Sequence, residues 1–237
     1  MVVNVLNKFE LLYYVLENFV NFYFMNIQSK KIILVANSNN IFDINSVING
    51  QDIIVRFNVP DKQKIKITGY RTDFLFLANT VDLMEKRLKN KEFNNFVDTL
   101  KNTTIFFPYE DDLINKINPV CKLAYRKFFI KFKKDIRNSN NNKYINYFFE
   151  KNIKVNVMDQ SYYWAAKNIM NKDGSSILTT GFIAMYYFLN NEEYKNYDIY
   201  LYGFTFQGWS GHDWEQEKKC ILNLIANKKI HTFKGEI

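Results

Sequence analysis

Apolar residues along this chain come in short continuous runs separated by polar turns. The first is Ile32–Ala36 in the stretch KKIILVAN, and others follow at Asp52–Val55, Asp73–Ala78, Thr104–Phe107, Ile153–Val157 and Ile199–Tyr202. Runs of this length that do not alternate with polar residues mark strands buried on both faces of a parallel sheet. Between them the apolar positions take a helical period. Val81–Lys101 has an amphipathic helical pattern, with Val81, Leu83, Met84, Leu88, Phe93, Phe96, Val97 and Leu100 apolar, and predicts a single helix; a second helix is predicted from Ser161. Strands alternating with helices predict an α/β fold: one Rossmann-like domain, residues 30–237, with a central, mostly parallel sheet flanked by helices. Residues 108–150 read as a helical insertion within it, serving as a lid or acceptor-side element. The last strand is expected in KIHTF, where His231 takes a structural place.

The segment before Lys30 changes this picture only at its edge. Phe9–Met25 is strongly apolar, but Glu10 and Glu17 interrupt it and no basic segment precedes it. It lacks the roughly 20 uninterrupted apolar residues of a spanning helix. Residues 1–29 are therefore expected to be an amphipathic helix packed on protein, a leader upstream of a start at Met25, or a helix lying in the plane of a membrane.

With 237 residues, the chain is long enough to bury a core without staples. Its two cysteines, Cys121 and Cys220, show neither CxxC nor Cys/His spacing, which argues against a disulfide framework or a zinc site and for a reducing, cytoplasmic setting. The formal charge of +8 attracts phosphates, acidic glycans or an anionic membrane surface without choosing among them. Lys122–Arg137 interleaves basic and aromatic residues, as either a solvated helix face or a surface for an anionic acceptor.

The candidate chemistry lies in the loops after the strands, where open parallel sheets bind ligands. His212 is one of only two histidines and stands at the end of such a loop, just before Asp213, Glu215 and Glu217 open a helix. The first strand ends in Asn37-Ser38-Asn39-Asn40, the second in Arg56-Phe57-Asn58; both offer short amides to a ribose, base or phosphate. The GxGxxG of a dinucleotide site is missing. Trp209 and Trp214 flank His212 and suit either ring stacking on a sugar or loop packing. One tyrosine of the Tyr162-Tyr163-Trp164 run suits a phosphate contact or the core.

These residues resemble a known family. Asn37-Ser38-Asn39, then Asp52 through Arg56 to Asn58, then Gly69 through Asp73, is similar to the large sialylmotif of the sialyltransferases of glycosyltransferase family 29. Ser176-Ile-Leu-Thr179-Thr180-Gly181 with Tyr200-Leu-Tyr-Gly203-Phe204 is similar to the small sialylmotif, and His212 through Glu217 to the very small one, H-x4-E. The match spans about 31–78 and 174–233. Ala36 replaces a glycine, the cysteines of the family's disulfide are missing, and the third motif is shortened between Thr205 and Gly211. The S/T-x-G turn and late histidine are also similar to the bacterial sialyltransferases of family 42.

The resemblance implies an inverting transferase that moves sialic acid from CMP-Neu5Ac to a glycan or glycolipid hydroxyl. CMP-Kdo is the alternative donor, and a non-catalytic CMP-sugar-binding relative the alternative class; nucleic acid is not an expected partner. Neither metal nor cofactor is expected, since CMP leaves well by itself. Glu110-Asp111-Asp112 is not the DxD of metal-dependent transferases and reads as a charged helix start. The expected donor-binding set is Asn37, Ser38, Asn39 and Asn58 with Gly203, Phe204 and Thr205 for the nucleotide, and Thr179, Thr180 and Gly181 for the sugar carboxylate. A helix beginning at this turn would present hydroxyls and free N–H groups to an anion. His212 is the expected general base, because neutral imidazole accepts a proton near neutrality. Glu217 is expected either to orient His212 or to cap backbone groups. The setting implied is cytoplasmic, with peripheral contact to the inner membrane face.

Overall fold

The computed structural model describes residues 29–37, 43–44, 48–60, 62–117, 141–170 and 176–233. The segment 1–28, Ser38, Asn39 and the basic stretch 122–137 lie outside the described residues, and with them the expectations placed there. Among the described residues no helix is long and apolar enough to cross a membrane.

Seven strands form one sheet: β1 (Lys30–Val35), β2 (Ile53–Phe57), β3 (Phe74–Phe76), β4 (Thr104–Phe107), β5 (Lys154–Val157), β6 (Tyr197–Tyr202) and β7 (His231–Thr232). Their order is β5-β4-β3-β2-β1-β6-β7, with parallel pairing of β1 to β2, β2 to β3, β3 to β4, β4 to β5 and β6 to β7. Every apolar run singled out in the sequence became a strand; β1 to β4 and β6 are largely buried, while β5, at the sheet edge, is partly exposed.

Successive side chains of the central strands enter different cores, giving three layers. On one face Ile32, Leu34, Val55, Phe76 and Phe106 meet α6 (Gln160–Ile169), α7 (Thr180–Asn190) and α8 (Trp214–Ala226). On the other, Leu75, Leu77, Ile105 and Phe107 meet α2 (Val81–Leu88), α3 (Lys91–Val97) and α5 (Asn141–Phe149). The short helices α1 (Lys62–Thr68) and α4 (Asp111–Ile117) complete the described set. Helix α7 is apolar nearly all round and buries Phe182, Ile183, Ala184, Met185, Tyr187 and Phe188, the signature of a helix enclosed by protein. Its axis is therefore fixed by packing.

The stretch Val81–Lys101 departs from expectation: it forms two helices. Asn90 stands between them in an extended conformation, and its side chain accepts from the N–H groups of Glu92 and Phe93. This N-cap starts a new helix at Lys91 and lets each piece turn its own apolar face to the sheet. Of the acidic trio, Asp111 and Asp112 do open α4; in addition, Asp111 accepts from Asn141 N, and Glu110 accepts from Gln160 N.

The residues carrying the first sequence resemblance act largely as strand connectors. Asp52 is fully buried and accepts from Lys31 N at 3.0 Å and Asn49 N at 2.8 Å. Asp73 accepts from Ile54 N at 2.7 Å. Arg56, buried within β2, donates to Thr68 Oγ1, to the carbonyls of Thr68 and Gly69, and to Arg71 O. A cation capping the carboxyl end of α1 in this way satisfies carbonyls that the helix leaves open. Burial lowers its pKa to about 10, so it stays charged at neutral pH. Arg56→Lys removes the planar fork and leaves several of these carbonyls unpaired. It should cost about 2–4 kcal/mol of unfolding free energy, measured by denaturant titration; an unchanged midpoint would refute this role.

Candidate functional site

The strand order reverses beside β1: the chain builds outward from β1 to β5, then returns to the other side of β1 with β6. Ala36 N donates to Tyr202 O at 2.8 Å, so the carboxyl ends of β1 and β6 lie together at the switch point. Open parallel sheets bind ligands in the crevice formed there. A solvent-open cavity occupies this place. Ten of the twelve residues expected from the sequence line it: Asn37, Asn58, Thr179, Thr180, Gly181, Gly203, Phe204, Thr205, His212 and Glu217. Ser38 and Asn39 are outside the described residues.

Each wall follows from local sequence. At Gly203 the chain leaves β6 with φ of +72°, which glycine adopts without penalty, and the aromatic loop turns across the crevice. Phe204 then packs edge-on against Phe57 with ring centroids 6.0 Å apart. Phe206, at φ +52°, is uncommon backbone for a bulky residue and lies on the rim. Asn37 donates its amide to Phe57 O at 3.1 Å, joining the ends of β1 and β2. Asn58, also left-handed at φ +54°, closes β2 against β3: its N–H donates to Phe76 O, and its Oδ1 accepts from Ala78 N.

Opposite these amides is the N-terminus of α7. Thr179 is its N-cap, accepting from Phe182 N at 3.0 Å. Thr180 and Gly181 are the first helical residues, so their N–H groups have no upstream carbonyl to meet and face an electropositive helix end. The arrangement suits a phosphate or carboxylate.

Glu217 settles between its two expected uses. Its carboxylate is 1% exposed and accepts Thr179 N at 2.7 Å through one oxygen and Thr179 Oγ1–H at 2.6 Å through the other. It ties the first turn of α8 to the cap of α7. Burial pushes its pKa up to about 7, against the two Thr179 hydrogen bonds, which favour the ionised form.

His212 is oriented instead by a backbone carbonyl that the sequence offered no means to find. Its Nδ1 lies 2.7 Å from Ile177 O. A carbonyl only accepts, so Nδ1 carries the proton and the neutral ring keeps its lone pair on Nε2. The backbone repeats the link: Ile177 N donates to Gly211 O at 3.0 Å. Two indoles pack on the ring, Trp209 with centroids 5.0 Å away and Trp214 at 5.1 Å, both nearly perpendicular to it. Gly211 permits this closure, since a Cβ there would lie 2.1 Å from the Trp209 ring. Trp214 Nε1–H donates to Trp209 O at 3.0 Å and locks the loop. Burial lowers the His212 pKa below its ordinary value, although the Ile177 carbonyl opposes the shift, so the ring stays neutral to lower pH.

The remaining expectations divide. Tyr163 is 1% exposed and packs on Tyr109, so it belongs to the core, as Tyr162 largely does through its edge-on contact with Tyr187. His231 lies in β7 against Tyr200. Of the two tryptophans read as stacking or loop residues, Trp214 lines the cavity and Trp209 is not among its lining residues; Ala36, Phe57, Phe206 and Gln207 also line it but were not among the expected binding residues. For Gln207 a signal existed: an uncharged polar side chain inside the aromatic loop between Phe204 and His212. Among the described residues no group of three or more His, Cys, Asp or Glu is placed to hold a metal.

No protein-family model matches this chain, and no curated protein matches it in sequence. Among solved structures it is similar to the sialyltransferase CstII from Campylobacter jejuni. In complex with the substrate analogue CMP-3FNeuAc that structure gives a TM-score of 0.46 at 13% identity, over 86% of this chain and 80% of that chain. In complex with cytidine-5'-monophosphate the values are 0.44 and 14%, over 86% and 78%. At these values the likeness assigns no residue a role.

The buried carboxyl of Glu217 makes stability depend on pH. A carboxyl whose native pKa is raised contributes stability in full below its ordinary value near 4.5, and that contribution is lost as pH rises through about 7. The unfolding free energy should thus fall by up to about 3 kcal/mol across this window through this one group. Glu217→Gln should flatten that part of the profile in denaturant titrations at stepped pH, and an unaltered slope would refute the assignment.

Proposed function

We propose that this protein is an inverting, metal-independent glycosyltransferase that moves sialic acid from CMP-Neu5Ac to a hydroxyl of a glycan or glycolipid acceptor. The observation that carries the reading is one convergence. Turns remote in sequence, at Asn37, Asn58, Thr180 and Phe204, line a single crevice with the imidazole of His212, whose Nε2 keeps its lone pair. The three sequence resemblances put the same residues in a donor site.

In this mechanism the acceptor oxygen attacks the anomeric carbon from the face opposite the phosphate. The C–O bond to CMP breaks with its electron pair leaving on the phosphate, the new glycosidic bond forms, and the acceptor proton passes to His212 Nε2. The charge that develops on the leaving group, or the sugar's own carboxylate, meets the N–H groups of Thr180 and Gly181 and the hydroxyl of Thr180; Thr179, expected to bind the anion too, has given both its N–H and its O–H to Glu217. CMP leaves as a phosphate monoester anion and needs no metal to do so. The asparagines and the Gly203–Thr205 turn take the nucleotide. Glu217 keeps the anion-facing turn in place. The donor class and the cysteine usage suit a cytoplasmic setting, and the charge of +8 suits contact with an anionic membrane face or acceptor.

The test is donor turnover. Wild-type protein incubated with CMP-Neu5Ac, and separately with CMP-Kdo, should release CMP, faster when a glycan acceptor is present. His212→Ala should lower the transfer rate by roughly 10²–10⁴-fold. The rate should rise with pH with a midpoint below 6.5, because the base must be unprotonated and burial lowers its pKa. Turnover of CMP-Kdo alone would change the donor, CMP binding without turnover would favour a binding protein, and a full rate in His212→Ala would remove the imidazole from the mechanism.

A further inference from the structure

Asn58 lines the crevice, but its amide is held from behind by two groups that can only donate. Ala78 N lies 3.1 Å from Oδ1, and Arg87 Nη2, from the last turn of α2, lies 2.8 Å from the same atom. Neither a backbone N–H nor a guanidinium has a lone pair at these positions, so the atom between them must be the oxygen. The orientation of this amide is therefore set by chemistry. Arg87 is in turn fixed: its Nη1 donates to Ala78 O and lies 3.9 Å from Met84 Sδ. Partial burial lowers its pKa to about 10, which leaves it cationic at neutral pH.

We infer that Arg87 is a positioning residue that locks Asn58 as a hydrogen-bond donor, so that the Nδ2 amino group faces the ligand and the crevice selects an anionic oxygen at that point. The fork of the guanidinium grips a backbone carbonyl and the amide oxygen together, and a cation on the oxygen side polarises the amide so that its N–H groups become stronger donors. A ligand that presents a donor there meets two opposed N–H groups. One that presents a phosphate or carboxylate oxygen is bound. This rests on the donor-site reading above, for a CMP-sugar carries both anions. The left-handed backbone of Asn58 supports the same geometry, since it is a conformation that asparagine tolerates better than most residues.

Asn58→Asp tests the polarity, because it keeps an oxygen for Ala78 N and Arg87 while replacing the amino group with a second oxygen. Calorimetric titration with CMP, CMP-Neu5Ac and free N-acetylneuraminic acid should show affinity reduced at least tenfold, with a melting temperature equal to or above that of wild type. Loss for CMP identifies the phosphate as the bound group, and loss confined to the sialic acid compounds identifies the carboxylate. Arg87→Met should weaken binding several-fold, with Arg87→Lys intermediate and serving as the folded control. Affinity in Asn58→Asp within twofold of wild type overturns the inference and leaves the donor reading intact. Full affinity in Arg87→Met overturns the positioning role. If wild type binds none of the three compounds, the proposed function fails, and the Asn58 side-chain NH₂ resonances then decide with inorganic phosphate. A shift abolished in Arg87→Met supports the inference, and no shift overturns it.

Discussion

One buried carboxylate holds the working parts of this molecule in register. Glu217 is the fourth residue of α8, and both of its oxygens accept from Thr179, the cap of α7. The segment it fixes, Ser176–Thr180, also carries the Ile177 carbonyl that sets the tautomer of His212 and leads into the open N–H groups of the first turn of α7. One anchored turn thus carries both the carbonyl that leaves the lone pair of neutral His212 on Nε2 and the open N–H groups at the start of α7. The cost is a carboxyl taken out of water, which burial pushes towards neutrality. Ionised, it is satisfied by an N–H and an O–H; protonated, it must surrender one of those bonds or share it.

The second constraint is topological. A parallel sheet whose order reverses beside β1 leaves a gap between the loops after β1 and β6, because those loops leave towards opposite neighbours. The core on either face keeps that gap from closing. Helix α7, enclosed on nearly every side by aromatic and aliphatic side chains, can neither roll nor slide, so the direction of its N-terminus is a property of the core.

Polar side chains near the strand ends serve this frame and the crevice at once. Asp52, Arg56 and Asp73 have their hydrogen bonds directed into the sheet and the cap of α1, and their part in any ligand site is to hold the strands that carry it. Asn58 joins the two: its oxygen accepts from Ala78 N and Arg87, and the residue lines the crevice. A motif that resembles a binding signature is thus in large part a signature of the strands behind the crevice.

The fold was legible in the chain because burial on both faces demands continuous apolar runs, and Ile32–Ala36, Thr104–Phe107 and Ile199–Tyr202 have few other uses. So were several of the places from which the crevice is lined, since parallel sheets put ligands at strand ends and Asn37, Asn58 and Gly203 stand at such ends, while Thr180 opens α7 and His212 ends the loop before α8. The break at Asn90 was less visible: an apolar period runs through it, and only the choice of a capping amide over a helical conformation divides the helix. What the tertiary structure alone decided is where each polar atom points. Ile177 acts on His212 through a carbonyl that every residue type possesses, and Arg87 reaches Asn58 across 29 positions of sequence. Periodicity records which side of an element is buried, but hydrogen-bond partners are chosen by distances of a few tenths of an ångström, and those exist only once the layers have packed.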